Sequence, residues 1–254
     1  MMKINSFVLT VSHLKKKYRN GRGVEDVSFS IRRGEIFGLL GANGAGKTTT
    51  MKIITGLITN FGGEVLVEGA PFSDNPANAL RQMGCLVETP SFYDYLTAEK
   101  NLKLAAAYYG MDKSKAAREI KEKLELVKLY KYRKDKASKY SLGMKQRLGL
   151  ALAMIGNPQI YILDEPANGM DIEGIVEIRG IILSLAEQRQ STFLVSSHQA
   201  AELQKMCNSV GIIHDGVLKE TAEMNWILDN YPSLEDYYLA VLNAGDRHKN
   251  GGAQ

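Results

Sequence analysis

Cysteine is nearly absent from this sequence: only Cys85 and Cys207 occur among its 254 residues. Two thiols so far apart suggest neither a disulfide framework nor a metal site, and each is expected to be a small core residue. Long apolar runs are missing too. The best candidates, Leu102–Tyr109 and Leu148–Ile155, are short and interrupted, whereas a membrane span needs about 18 apolar residues in succession. Met1–Leu14 carries charge but lacks the continuous apolar stretch and cleavage site of a signal peptide. A cytosolic chain is therefore expected, with both thiols reduced. No charge sign dominates either, since 32 Lys and Arg against 28 Asp and Glu leave +4. The basic clusters Lys15, Lys16, Lys17, Arg19 and Lys131, Arg133, Lys134, Lys136 lack the setting of a recognisable nucleic-acid fold. They are expected to be solvated faces, and no nucleic-acid partner is expected. With 44% hydrophobic residues the composition is that of a globular domain.

Periodicity then places the elements. Phe7–Leu14 and Val24–Ile31 alternate as strands, with Val27, Phe29 and Ile31 on one face, which predicts an N-terminal antiparallel β lobe. The apolar strand Ile36–Leu40 leads through a Gly-rich loop into a helix over Thr48–Leu57, the entry to a mononucleotide fold. Gly62 and Gly63 turn the chain into another strand, Glu64–Val67. Residues 72–137 are expected to form an inserted helical lobe: Thr97 caps a helix to Tyr109, and Ala117, Ile120, Leu124 and Val127 recur on one helix face. A helix from Ser141 to Gly156 completes that lobe. Strand Ile160–Leu163, a helix marked by Ile175, Ile178, Ile182 and Leu185, and strand Thr192–Ser196 follow. Asp215 and Gly216 predict a hairpin turn between Val210–His214 and Val217–Lys219. The domain is expected over 1–242, with 243–254 as a frayed polar tail.

Two motifs carry chemistry. Gly41–Thr48 reads GANGAGKT, the P-loop pattern. Gly41, Gly44 and Gly46 allow backbone N–H groups to converge on phosphate oxygens, and the following helix aims its positive end at the same point. Asn43, Gly44, Ala45, Gly46, Lys47, Thr48 and Thr49 make up the ATP cradle. Within it Lys47 reaches the β- and γ-phosphates and Thr48 offers a hydroxyl to Mg2+. The second motif is the buried strand Ile160–Leu163 ending in Asp164 and Glu165. Asp164 is placed to hold magnesium and Glu165 to polarise the attacking water.

The segment Tyr140–Arg147, YSLGMKQR, resembles the signature LSGGQxQR of ABC ATPases, keeping Ser141, Gly143, Gln146 and Arg147. The fold expected is thus α/β: a P-loop NTPase core with the antiparallel β lobe and the helical lobe. In the same order, Tyr18 stands where an aromatic stacks on adenine, Asp171 where the chain crosses a dimer interface, and His198 where a histidine contacts the γ-phosphate. The resemblance implies a head-to-tail homodimer sandwiching two ATPs, in which Ser141 and Gly143 face the partner's γ-phosphate. It also implies a separate membrane permease that holds this chain on the inner face of the membrane.

Three departures stand out: Glu88 replaces the family's usual Gln, Leu142 its first signature Gly, and Met144 its signature Gln. With the NGMD run at 168–171 and SLEDYY near the C-terminus, they are similar to ATPase subunits of lantibiotic-immunity and bacitracin-resistance exporters. That likeness implies expulsion of antimicrobial peptides from a Gram-positive membrane. Glu88 is expected to approach magnesium when ATP is present. The alternatives are an exporter ATPase for another substrate, a soluble ABC ATPase of DNA repair or cofactor assembly, and an ATP-binding switch that barely hydrolyses. Residues 72–137 leave no room for the long coiled coil of repair members, and retention of Glu165 and His198 argues against the switch.

Overall fold

A computed structural model describes residues 7–250. Alternating sequence builds β1 (Phe7–Lys17) and β2 (Gly23–Arg32), paired antiparallel with Leu9 opposite Ile31 and Val11 opposite Phe29. The continuous apolar run becomes β3 (Ile36–Leu40), buried at every position as a parallel strand covered on both faces must be. Then come α1 (Lys47–Ile54), β4 (Gly62–Val67), the short β5 (Ala70–Pro71), α2 (Pro76–Arg81) and β6 (Met83–Leu86). Three helices follow, α3 (Ala98–Tyr108), α4 (Lys113–Leu126) and α5 (Leu142–Ala153). The chain continues through β7 (Ile160–Asp164), α6 (Ile172–Arg189), β8 (Thr192–Ser197), α7 (Ala200–Gln204), β9 (Ser209–His214), β10 (Val217–Glu223), α8 (Met224–Asn230) and α9 (Leu234–Asn250).

The strands lie in the order β5-β4-β1-β2-β10-β9-β3-β8-β7-β6. One half, β9-β3-β8-β7-β6, is parallel, and the N-terminal strands form the antiparallel half. Two apolar cores result. One joins the antiparallel strands to α1 through residues such as Leu9, Ile31, Met51 and Ile54. The other unites α3, α4 and α5 with the opposite face of the parallel strands through Leu102, Leu124, Leu148 and Tyr161.

Three expectations need correction. Residues 72–137 are not wholly a helical lobe, because β6 pairs with β7 as an edge strand of the core sheet. A four-residue strand offers too little alternation to be seen beside stronger helical periodicity. Ala117 points to solvent, while Glu119 and Lys123 share the buried face of α4 with Ile120 and Leu124. Residues 243–250, expected to fray, continue α9; residues 251–254 of that expected tail lie outside the described residues. Leu234 and Tyr237 anchor the helix, and extending an anchored helix is far easier than nucleating one.

The buried polar pair on α4 has a specific use. Glu119 Oε1 accepts the backbone N–H of Gly156 at 2.7 Å, and Lys123 Nζ donates to Asn157 Oδ1 at 2.7 Å. Burial lowers the Lys123 pKa from the ordinary lysine value. Both bonds tie the helical lobe to the turn entering β7. Glu119→Ala should strand the Gly156 donor and lower stability by about 1–3 kcal/mol. Glu119→Gln, which keeps an acceptor, should lose less in a denaturant titration; equal losses would contradict this role.

Candidate active site

Because β3, β6, β7, β8 and β9 run parallel, their C-terminal ends emerge along one edge of the sheet, where open α/β folds bind ligands. The loop after β3 is the P-loop. Gly46 has φ 112° and caps α1, and a β-carbon there would lie 2.8 Å from Val24 Cγ1. A β-carbon on Gly41 would meet Ile213 O at 2.4 Å. Only glycine allows the loop to close this tightly.

Lys47 is 5% exposed. Its ammonium donates to Gly41 O at 2.7 Å and Ala42 O at 3.2 Å. It also lies 3.1 Å from Glu165 Oε1, an ion contact without hydrogen-bond alignment. Next along α1, Thr48 Oγ1 donates to Asp164 Oδ2 at 2.7 Å. Ser196 Oγ, on β8, donates to Asp164 Oδ1 at 2.6 Å and accepts the Glu165 N–H at 2.9 Å. Glu165 itself takes a left-handed backbone with φ 48°, costly for a residue other than glycine and characteristic of functional turns. His198 Nδ1 stands 2.8 Å from Glu165 Oε2, the geometry of an imidazole N–H donated to a carboxylate. Ammonium, hydroxyl, two carboxylates and imidazole thus converge at one place. Together they can bind a polyphosphate, hold a water and accept its proton.

Tyr18, 38% exposed, lines the same cleft of about 430 Å³ as Asn43, Gly44, Gly46, Lys47, Thr48 and Thr49. Ser141 and Gly143 do not join it. Ser141 caps α5 by accepting the Met144 N–H at 3.3 Å and opens into a second cleft with Met144, Arg147 and Glu177. Asp171 caps α6 by accepting the Gly174 N–H at 2.9 Å. Glu88, two residues beyond β6 and 55% exposed, lies at the same sheet edge as Asp164 but pairs with Lys52 of α1 at 2.5 Å. Lys52, which lines the Tyr18 cleft, supplies the counter-charge that an acidic residue at this edge needs. Sequence reasoning had missed both Ser196 and Lys52. Two serines closing an otherwise apolar strand, Thr192–Ser197, were the available signal for the first; a cation one helical turn beyond Thr48 was the signal for the second.

Comparison with known proteins decides among proteins that share this geometry. The pattern described as ABC transporter matches residues 24–168, more than half of the chain. The chain belongs to the ABC transporter family. It is a member of the family's ATP-hydrolysing class of subunit, an ATPase that binds ATP. It is 43% identical over 238 residues to the bacitracin transport ATP-binding protein BcrA of Bacillus licheniformis, spanning 94% of this chain and 77% of that one. Identity to the lantibiotic transport ATP-binding protein SrtF of Streptococcus pyogenes is 37%, over 82% of this chain and 88% of SrtF. The solved ATP-binding subunit of an ABC transporter superposes with TM-score 0.82 at 31% identity, covering 92% of this chain and 99% of the other. The dimeric ATP-binding cassette MJ0796, solved in a post-hydrolysis state with ADP and Pi, shares the fold with TM-score 0.77 at 23% identity, over 85% of this chain and 98% of that one. Among the described residues no helix is long and apolar enough to cross a membrane.

Ser196 gives this ABC subunit a direct test. Ser196→Ala should leave ATP affinity within about twofold and slow hydrolysis on the order of tenfold, since Asp164 loses a donor and the Glu165 N–H its acceptor. Full activity in a steady-state phosphate-release assay would remove Ser196 from the site.

Proposed function

We propose that this chain powers export of an antimicrobial peptide through a separate membrane permease, working as a head-to-tail homodimer that sandwiches two ATPs. What carries the dimer is the division of the phosphate-binding groups. Lys47 and the P-loop open into one cleft, whereas Ser141, at the capped end of α5, opens into another. A second copy would bring its Ser141 end over the first copy's γ-phosphate. The peptide substrate is supported by the likeness to bacitracin and lantibiotic transport ATP-binding proteins. The working location follows from the permease: the inner face of the membrane, with no helix among the described residues long and apolar enough to cross it. The ATPase domain is residues 1–242, with the helical lobe presenting Ser141.

In the reaction, backbone N–H groups of the P-loop and the Lys47 ammonium take the β- and γ-phosphates, and Tyr18 stacks on the adenine. Glu165 accepts a proton from the attacking water, and His198 orients that carboxylate. Thr48 and Asp164 are oxygen donors of the kind magnesium takes with phosphate and water ligands. Among the described residues no group of three or more His, Cys, Asp or Glu side chains could hold a metal alone. The ion would neutralise phosphate charge there.

Glu165→Gln keeps the shape but cannot accept the proton, so hydrolysis should fall at least ~100-fold while ATP binding persists. Expressed with its permease in a peptide-sensitive strain, the variant should confer no resistance where the wild-type chain does. Resistance retained without hydrolysis would refute ATP-powered export.

Glu88 is assigned to coupling: with ATP bound it would leave Lys52 for the site where Thr48 and Asp164 would hold magnesium, and so move the segment Thr89–Tyr95 against the permease. Glu88→Ala should lose resistance more than basal hydrolysis, and Glu88→Gln should shift the magnesium requirement. Wild-type behaviour of both variants across a magnesium titration would exclude Glu88 from the mechanism.

A further inference from the structure

Leu142 puts a large side chain where the signature of related ATPases has glycine, and it remains 57% exposed. One flank lies on the turn that follows Glu165: a β-carbon on Gly169 would meet Leu142 Cδ2 at 2.8 Å. From that turn Met170 reaches back. Its Cε sits 2.6 Å from where a β-carbon on Gly174 would be and 3.4 Å from one on Gly143. Gly143 and Gly174 thus form a notch for Met170, and Gly169 a seat for Leu142. Two backbone hydrogen bonds tie the turn back toward Glu165. Asn168 N–H donates to Glu165 O at 3.0 Å, and Met170 N–H to Ala167 O at 3.3 Å. A shift of the Glu165 turn is therefore carried to the contacts that Met170 and Gly169 make with the Ser141 end of α5.

We propose that Leu142 and Met170 are positioning residues that lock the Ser141 helix end to the Glu165 turn of the same chain. One chain then engages its partner's nucleotide only when its own catalytic turn is in place. Close-packed contacts of this kind switch between discrete arrangements and do not stretch, which suits them to relay a small displacement. The inference rests on the sandwich dimer proposed above.

The test uses the full chain carrying Glu165→Gln, which retains ATP, and measures two constants: ATP binding to the dilute monomer, and the ATP-dependent dimer dissociation constant by sedimentation. Met170→Ala and Leu142→Gly should each weaken the dimer on the order of tenfold, with monomer ATP affinity unchanged. Met170→Leu should stay within about twofold, because it refills the notch. Gly174 is buried, so Gly174→Ala alters no exposed side chain yet displaces Met170, and crowds the Asp171 cap. It should weaken the dimer as Met170→Ala does, and if Met170→Ala does not fold, wild-type dimer affinity in Gly174→Ala overturns the lock. Unchanged dimer affinity in Met170→Ala and Gly174→Ala, or equal loss of monomer ATP binding, would overturn the lock. A Glu165→Gln chain that stays monomeric with ATP would overturn the dimer itself, and the lock with it.

Discussion

Asp164 is a carboxylate only 5% exposed, and a buried charge is tolerated only where its oxygens find donors. Thr48 supplies one from the first turn of α1 and Ser196 the other from β8. Those two bonds register the P-loop helix against two parallel strands. The next residue inherits the result, because Ser196 Oγ also accepts the Glu165 N–H. The direction of the Glu165 carboxylate is thus set by how its neighbour is satisfied.

Around that fixed point the site is divided by the kind of contact each part makes. Lys47 and His198 each make a short contact with the Glu165 carboxylate within one chain. Ser141 stands on another cleft, on a helix end whose cap uses a single bond. In the sandwich proposed above this group meets a second molecule and so has to remain accessible, which an exposed capped helix end allows without a buried unpaired charge.

The helical lobe is held to the core in two contrasting ways. At its far side Glu119 and Lys123 make buried directional bonds to Gly156 and Asn157, which permit one distance only. Near the site the contact is apolar and seated on glycines, through Leu142 and Met170. Such a surface can repack without leaving a polar group unsatisfied.

The P-loop, the acidic pair and the strand and helix sequence around them were legible from residue order alone. Each depends on local chemistry: glycines that free the backbone, a Lys and Thr at fixed spacing, a buried strand running into Asp164 and Glu165. Strand β6 was not legible, since four residues without alternation become a strand only by pairing with β7. The burial of Glu119 and Lys123 in place of Ala117 was likewise hidden, for their partners Gly156 and Asn157 are brought to them by packing. Ser196 and Lys52 were within reach of sequence reasoning but had no meaning until the sheet set them beside Asp164 and Glu88. Sequence by itself determined which groups carry chemistry suited to a triphosphate. Only the tertiary structure decided which of them share a cleft, because residues more than a hundred positions apart meet solely through the parallel register of the sheet.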